Sequence, residues 1–267
     1  MNDRPSDWHP SPRHTGWLED PRDADERQLL GEGVFDETLE AMPSASQFYE
    51  RIPRVRDQRS TSSCVGHACV GAFELLRIVL GLPDVAMSPA HCYWLARSYS
   101  DLQREDGGAY TLDGVIAMVK LGVGRESLLP LSTATINDRP GPAVEIDGVT
   151  RTVARYDRIT EAPFTEARER AVLSALADQC PVLSGKLLPE SFFGHSGRGV
   201  LPAPEPGAAT HGGHLTYYAG YRTEPGGAVS LYEANSWGRG WGIAGGGWAE
   251  LGWVHHCRDL VVLREAK

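Results

Sequence analysis

No apolar run in this chain approaches the roughly 18 residues that a membrane-spanning helix needs. The first twenty residues, MNDRPSDWHPSPRHTGWLED, carry no apolar stretch of the kind found in a secretory signal. Five cysteines, at 64, 69, 92, 180 and 257, are odd in number and lack paired spacing, so they do not make a disulfide framework. A reducing, cytoplasmic setting is the expectation. Basic residues are outnumbered, 26 Lys and Arg against 35 Asp and Glu, for a net charge of −9. That disfavours nucleic acid and anionic membrane surfaces, both of which require a basic face. No phosphate loop is present, because Gly245-Gly246-Gly247 lacks the following Lys-Ser/Thr. His211 with His214, and the run His255-His256-Cys257, each lack further ligands at zinc spacing. Neither a metal nor another cofactor is expected, and no internal repeat is found.

What is there suffices for one large domain or two small lobes: 267 residues, 41% of them hydrophobic, with seven Trp to line a core or a groove. Residues 1–52 are polar and Pro-containing and read as a partly extended arm packed on the body. Residues 64–80 read as a buried helix, apolar nearly all round, capped by Ser62 or Ser63 and ended by Gly81. Ser88-Pro89 opens a second helix to about 102, and 112–121 forms a third. Beyond residue 150 one helix remains, over 166–178. Strand-like segments follow at 181–188, 214–222, 228–234, 247–251 and 259–264, with a Gly/Pro-rich loop over 194–213. Helices first and strands after predict an α+β protein, with 53–150 a helical lobe and 151–267 a β-rich lobe.

Three separated elements carry chemistry. Cys64 stands at a helix start, where the helix dipole favours the thiolate, the reactive form of a thiol. His214 begins an apolar strand after two glycines, 150 residues after Cys64. Asn235 follows at the end of a later strand, placed so that antiparallel pairing brings its amide to the imidazole and fixes the tautomer. Gln58, six residues before Cys64, offers a side-chain NH₂ to a developing oxyanion, with the Cys64 backbone N–H as second donor. His67 shares a helix face with Cys64 and reads as a core histidine, and the other four cysteines read as packing residues.

These residues resemble the papain-like cysteine peptidases, in their bacterial form. Asp57-Gln58-x-Ser60-x-x-Ser63-Cys64 is similar to the nucleophile motif, and His214-Leu-Thr-Tyr-Tyr-Ala-Gly220-Tyr221 to the histidine strand. Asn235-Ser236-Trp237-Gly238-Arg239-Gly240-Trp241-Gly242 resembles the Asn-Ser-Trp-Gly block. The likeness spans about residues 52–264, and Gly16-Trp17-Leu18-Glu19-Asp20-Pro21-Arg22-Asp23 looks like the N-terminal segment of bacterial members.

The resemblance implies a two-lobed fold, a helical lobe and an antiparallel sheet or barrel lobe with the cleft between them. It implies Gln58 as oxyanion donor, Cys64 as nucleophile, His214 as base and acid, and Asn235 as orienter, with Trp237 shielding the Asn–His bond. Gly107 and Gly108 resemble the glycine pair that bonds substrate backbone, which puts Ala109, Tyr110 and Gly213 beside a side-chain pocket. Trp237 and Trp241 belong to the same candidate surface, although packing under the sheet competes for Trp241.

The sequence departs from the family pattern with Arg59 and Ser62 in place of glycines, Thr61 in place of a disulfide cysteine, and Val65 in place of an aromatic residue. No long helical pro-region precedes the core, so activation by its removal is not implied. The expected function is hydrolysis of a peptide or protein substrate. A transpeptidase or amidase using the same acyl-enzyme, or a non-catalytic peptide-binding module, are the alternatives, and the arm or the 194–213 loop is expected to gate the cleft. Oligomeric state is not legible in the sequence.

Overall fold

The computed structural model describes residues 15–22, 43–205 and 207–267, together with the backbone of 32–33. Much of the arm read over 1–52 therefore lies outside the described residues. In chain order the elements are β1 (Glu32–Gly33), β2 (Ala45–Ser46), α1 (Cys64–Val79), α2 (Pro89–Ser98), α3 (Thr111–Lys120), α4 (Pro142–Gly148), β3 (Val153–Arg158), α5 (Glu166–Ala177), β4 (Val182–Pro189), α6 (Glu190–Phe193), β5 (Val200–Leu201), β6 (Thr210–Thr223), β7 (Val229–Ala234), β8 (Gly246–Glu250) and β9 (Cys257–Ala266). Short 3₁₀ turns span Phe48–Arg51 and Leu251–His256.

One sheet runs β1-β3-β9-β4-β6-β7-β8-β5, with β2 pairing β6 off that path. Its central ladders are antiparallel, and only β1 with β3 and β5 with β8 are parallel. Helices α1, α2 and α3 pack together as the helical lobe, and α1 lies against β6 and β9 of the other lobe. The expected α+β, two-lobed architecture is what the chain adopts.

Helix α1 earns its central place by composition. Every residue from Cys64 to Arg77 is buried, and its apolar side chains join the main core with Leu215, Tyr217, Leu260 and Val262 of the sheet. Such a helix is stable only when covered on all sides. At the start of α2, Ser88 Oγ accepts the His91 N–H at 3.0 Å and Pro89 occupies the first turn, as the sequence indicates. The cap of α1 differs. Ser63 holds the N-cap position without capping, because its Oγ lies 2.5 Å from Thr61 Oγ1 and 3.1 Å from His67 Nδ1.

The sequence reading misses the short elements β2, β5 and α6, and with them α4 and β3. Helix α4 is a seven-residue segment with Gly141 as an uncapped N-cap, and β3 interleaves charged residues with apolar ones. The 194–213 segment also carries more structure than a loop, since β5 falls inside it and β6 begins at Thr210 rather than His214.

His67 is a core residue, with Nδ1 at 2.9 Å from the Ser63 carbonyl. Burial lowers its pKa to about 3, and burial lowers that of His91 to about 4. Both imidazoles are therefore neutral in the folded chain at pH values where an unfolded histidine, with its ordinary pKa near 6.5, binds a proton. The unfolded state then holds more protons, and stability falls as pH drops from about 6.5 toward those folded values. We expect the unfolding free energy from urea melts to decline steadily between pH 7 and pH 4, by on the order of 1.4 kcal/mol per pH unit for each histidine in its window. His67→Gln should flatten that slope, and an unchanged slope would contradict the assignment.

Candidate active site

The loop before α1 is shaped by its own side chains. Asp57 Oδ1 accepts the Arg59 N–H at 2.8 Å, and Arg59 takes a left-handed φ of 54° where the resemblance expects glycine. Gln58 is fully buried. Its Nε2 donates to the Thr61 carbonyl at 2.8 Å, which leaves the second amide hydrogen, and its Oε1 accepts Ser236 Oγ–H at 2.6 Å. The Gln58 N–H donates to the Ser236 carbonyl at 2.8 Å, so this loop is tied to the segment that follows β7. From α2 onward, Asp106 accepts the Ser62 N–H at 3.0 Å and the Tyr93 hydroxyl at 2.8 Å.

Cys64 is the first residue of α1 and is wholly buried. Burial pushes its thiol up to about 12, against the opposing pull of the backbone N–H groups of Leu215, Val65 and Cys64 itself, while Asp106 adds to the rise. The Leu215 contact sets the sulfur against β6 at the residue after His214. On burial alone the resting thiol is protonated, and an adjacent imidazolium is the charge that would offset it.

His214 Nε2 lies 2.8 Å from Asn235 Oδ1, and the same oxygen accepts the Ser236 N–H at 2.7 Å. A backbone N–H can only donate, so that second bond fixes which amide atom is oxygen, and the His214 Nε2 is then the protonated nitrogen. The Trp237 ring covers the pair, 4.7 Å from the imidazole centroid and tilted by 30°. Cys64, His214, Asn235 and Gln58 thus converge on the junction of the lobes.

Trp241 needs a correction. It is 1% exposed, its Nε1 donates to the Phe192 carbonyl at 3.1 Å, and it packs with Phe192, Trp237 and Trp253 in a second core cluster. It presents no surface to a ligand, because an indole of that size is spent on core burial.

Residues 15–22 lie across this junction. The Gly213 carbonyl accepts the N–H groups of Gly16 at 2.9 Å and Trp17 at 3.1 Å. Ala109 donates to the Gly16 carbonyl at 2.9 Å and accepts from the Leu18 N–H at 3.0 Å, in a parallel bridge with Trp17. A side chain on Gly213 would meet the Trp17 carbonyl at 2.2 Å, and one on Gly108, which has a φ of 107°, would meet the Gly16 carbonyl at 2.3 Å. The Tyr110 ring lies under the Arg22 guanidinium at 4.9 Å, whereas Gly107 is open to solvent.

The Trp17 indole fills a pocket whose wall is Gly185. Its Nε1 lies 2.9 Å from both Thr111 Oγ1 and Asp259 Oδ2, and Thr111 donates to the same carboxylate oxygen at 2.7 Å. Burial raises the Asp259 pKa, against the Thr111 and Trp17 hydrogen bonds. Ser236, Thr111, Gly185 and Asp259 are the site residues that sequence reasoning missed. The one available signal was an acid at the head of an otherwise apolar strand. Among the described residues no group of three His, Cys, Asp or Glu side chains could hold a metal ion, and no helix is long and apolar enough to cross a membrane.

No family model matches the chain. A protein described as a cysteine protease of Blomia tropicalis is 24% identical over 205 residues, 76% of this chain and 59% of that protein, so the chain spans under two thirds of that relative's length. Among solved structures, xylellain, a cysteine protease from Xylella fastidiosa, superposes with a TM-score of 0.77 at 21% identity, covering 94% of this chain and 96% of its own. Digestive procathepsin L 3 of the Tenebrio molitor larval midgut gives 0.70 at 16%, covering 86% and 72%. The cysteine protease CMS1MS2 of Carica candamarcensis, solved in complex with E-64, gives 0.60 at 19%, covering 84% and 100%. The fold is the papain-like one.

Arg59 pays the steric cost of its left-handed backbone, and its side chain is exposed. Arg59→Gly is expected to raise stability by about 1 kcal/mol, part of the strain relief being offset by glycine's greater unfolded freedom. A thermal melt that moves down instead would place the guanidinium in an interaction that outweighs the strain.

Proposed function

We propose that this chain is a cysteine-type peptidase acting through Cys64, His214 and Asn235. The observation that carries the reading is the 2.8 Å bond from His214 Nε2 to Asn235 Oδ1, formed beside a cysteine at the N-terminus of a buried helix. With Nε2 bonded to Asn235, the proton exchange with the thiol runs through Nδ1. The Cys64 thiolate attacks the peptide carbonyl carbon, and the displaced electron pair rests on oxygen. That oxyanion is met by the Cys64 N–H and the second hydrogen of Gln58 Nε2, whose amide Ser236 holds in place. His214 gives its proton to the leaving amine as the C–N bond breaks, which leaves a thioester. It then takes a proton from water, which attacks the thioester and releases the thiolate.

On this reading, residues 15–22 are a strap occupying the substrate's place. They use the backbone groups of Ala109 and Gly213 that an extended peptide would use. Trp17 stands where a substrate side chain would sit, and its pocket ends on the Asp259 carboxylate. With the strap withdrawn, that floor favours a side chain bearing N–H donors.

Two experiments test the reading. The complex of CMS1MS2 with E-64 makes an epoxysuccinyl inhibitor the natural probe. Intact mass should show a single adduct, lost in Cys64→Ala and in His214→Ala. The strap makes a second demand: Trp17→Ala removes its buried anchor, so adduct formation and peptide hydrolysis should both quicken by about tenfold or more, since each 1.4 kcal/mol taken from the closed state is a factor of ten. No adduct on either folded protein would replace the peptidase with a peptide-binding module. Adduct formation at equal rates in both would remove the gating role.

A further inference from the structure

A second polar cluster lies beside His214 and Asn235, and the chemistry above makes no use of it. Lys186 and Glu233 are 0% and 1% exposed in their side chains, with Nζ and Oε1 2.5 Å apart. The same Glu233 oxygen accepts the Thr216 hydroxyl at 2.6 Å. Ser184 Oγ lies 2.8 Å from Thr216 Oγ1 and takes a third contact from Lys186 Nζ at 3.2 Å. The ammonium also stands over the rings of Tyr218, Trp253 and Phe192, at 4.9, 5.4 and 5.7 Å from their centroids. Replacing a buried ion pair with packed apolar side chains is often neutral or stabilising, so fold stability alone does not account for this one.

Its place in the ladders does. Lys186 is the register partner of His214 across β4 and β6. Glu233 lies on β7 two residues before Asn235, which directly follows that strand, and Thr216 follows His214 by two on β6, so each side chain falls on the face of its catalytic neighbour. The backbone ladder between β6 and β7 ends at Tyr217 with Ala234. His214 and Asn235 therefore meet beyond the last paired residues of β6 and β7; His214 stays paired with Lys186 of β4 and the Asn235 N–H donates to the Gly245 carbonyl at 3.0 Å, but no ladder pair joins β6 to β7 at that level. The Glu233 carboxylate, gripping Lys186 of β4 and Thr216 of β6, is the tie at that fork. The pair also bears on His214 through Phe192, whose ring lies 6.2 Å from the imidazole.

The geometry points to Lys186, Glu233 and Thr216 as positioning residues that hold β7 against the paired strands β4 and β6 at the spacing required by the His214–Asn235 hydrogen bond. The inference rests on the peptidase reading for its kinetic consequence, but not for its structural one.

The test uses the full chain with the double substitution Lys186→Met/Glu233→Leu, which removes both charges without stranding either. The melting temperature should be held or raised. With a peptide substrate, kcat should fall between about tenfold and a hundredfold while KM stays within about twofold, the penalty of a misplaced base. The downfield proton resonance of His214 Nε2–H should shift or broaden. Should the double variant fail to fold, Thr216→Val decides: it should move the same resonance, and Thr216→Ser should restore it. A folded double variant, or Thr216→Val, with an unmoved resonance and unchanged kcat overturns the inference. The two readings fail separately. If the wild type turns over no peptide, the peptidase falls, yet the resonance still reports the brace; if turnover persists with the resonance unmoved, the brace falls and the peptidase stands.

Discussion

Everything at the lobe junction hangs on the exchange between Gln58 and Ser236. The Gln58 N–H reaches the Ser236 carbonyl at 2.8 Å, and the Ser236 hydroxyl returns to Gln58 Oε1 at 2.6 Å. One main-chain and one side-chain bond thus bind the loop before α1 to the end of β7. With the bond from the Gly238 N–H to the Arg56 carbonyl at 2.9 Å, the main-chain bond completes an antiparallel bridge between Asp57 and Trp237. Because both groups are buried, losing either partner leaves an unpaired polar atom costing about 1–3 kcal/mol. The seam therefore sets how far the thiol on one lobe stands from the imidazole on the other, without a covalent link.

Behind it, Glu74 of α1 anchors the strand of chain that delivers the loop. Its carboxylate takes Arg56 at 2.5 Å, Arg54 at 3.2 Å and the Met87 N–H at 2.7 Å. Burial raises the Glu74 pKa and the two guanidiniums oppose that rise. A charge in that position is tolerable only because all its partners are present; removing one would strand the others. Glu74 is thus a charged tie from α1 to chain segments outside any strand, whereas Glu233 is a charged tie between strands that already pair through their backbones.

The parts of the molecule legible in the sequence were those set by local periodicity and by contiguous motifs. Helix α1 is apolar nearly all round and could only be central. Ser88-Pro89 announces a helix start, and β6, β7 and β9 are runs whose burial matches their composition. Gln58, Cys64, His214 and Asn235 stood out by type and order; the structure bonds His214 to Asn235 and ties Gln58 to Ser236 beside it. What stayed hidden depends on pairings made only in space. Asp259 looks like a solvated acid until Thr111, far away in sequence, is seen beside it. Lys186 sits in a segment read simply as strand, and nothing local says that its charge is spent on a glutamate 47 residues on. Trp241 is adjacent to the site in sequence and in space, but it is buried behind Trp237 in the Phe192 cluster and offers no surface.

The burial of Cys64 and the seating of Trp17 bear on one another. A fully buried thiol, pushed up by desolvation, is a poor nucleophile, and the segment from Thr15 to Arg22 contributes to the covering: Gly16 sits so close that a side chain on it would meet the Ser62 carbonyl at 2.0 Å. The strap is held by backbone bonds to Ala109 and Gly213, by one indole, and at its far end by Arg22 with Asp113 at 2.8 Å. Arg22 is about a third exposed, so that last tie is screened and weak. The indole is 3% exposed and is the strong one. Withdrawing it would uncover the loop before Cys64 at Ser62 and expose the Asp259 carboxylate in the same movement. On the proposed peptidase reading, exposure of the nucleophile and opening of a specificity pocket are then a single event, and a peptide that offers Asp259 a better donor than an indole N–H would drive it.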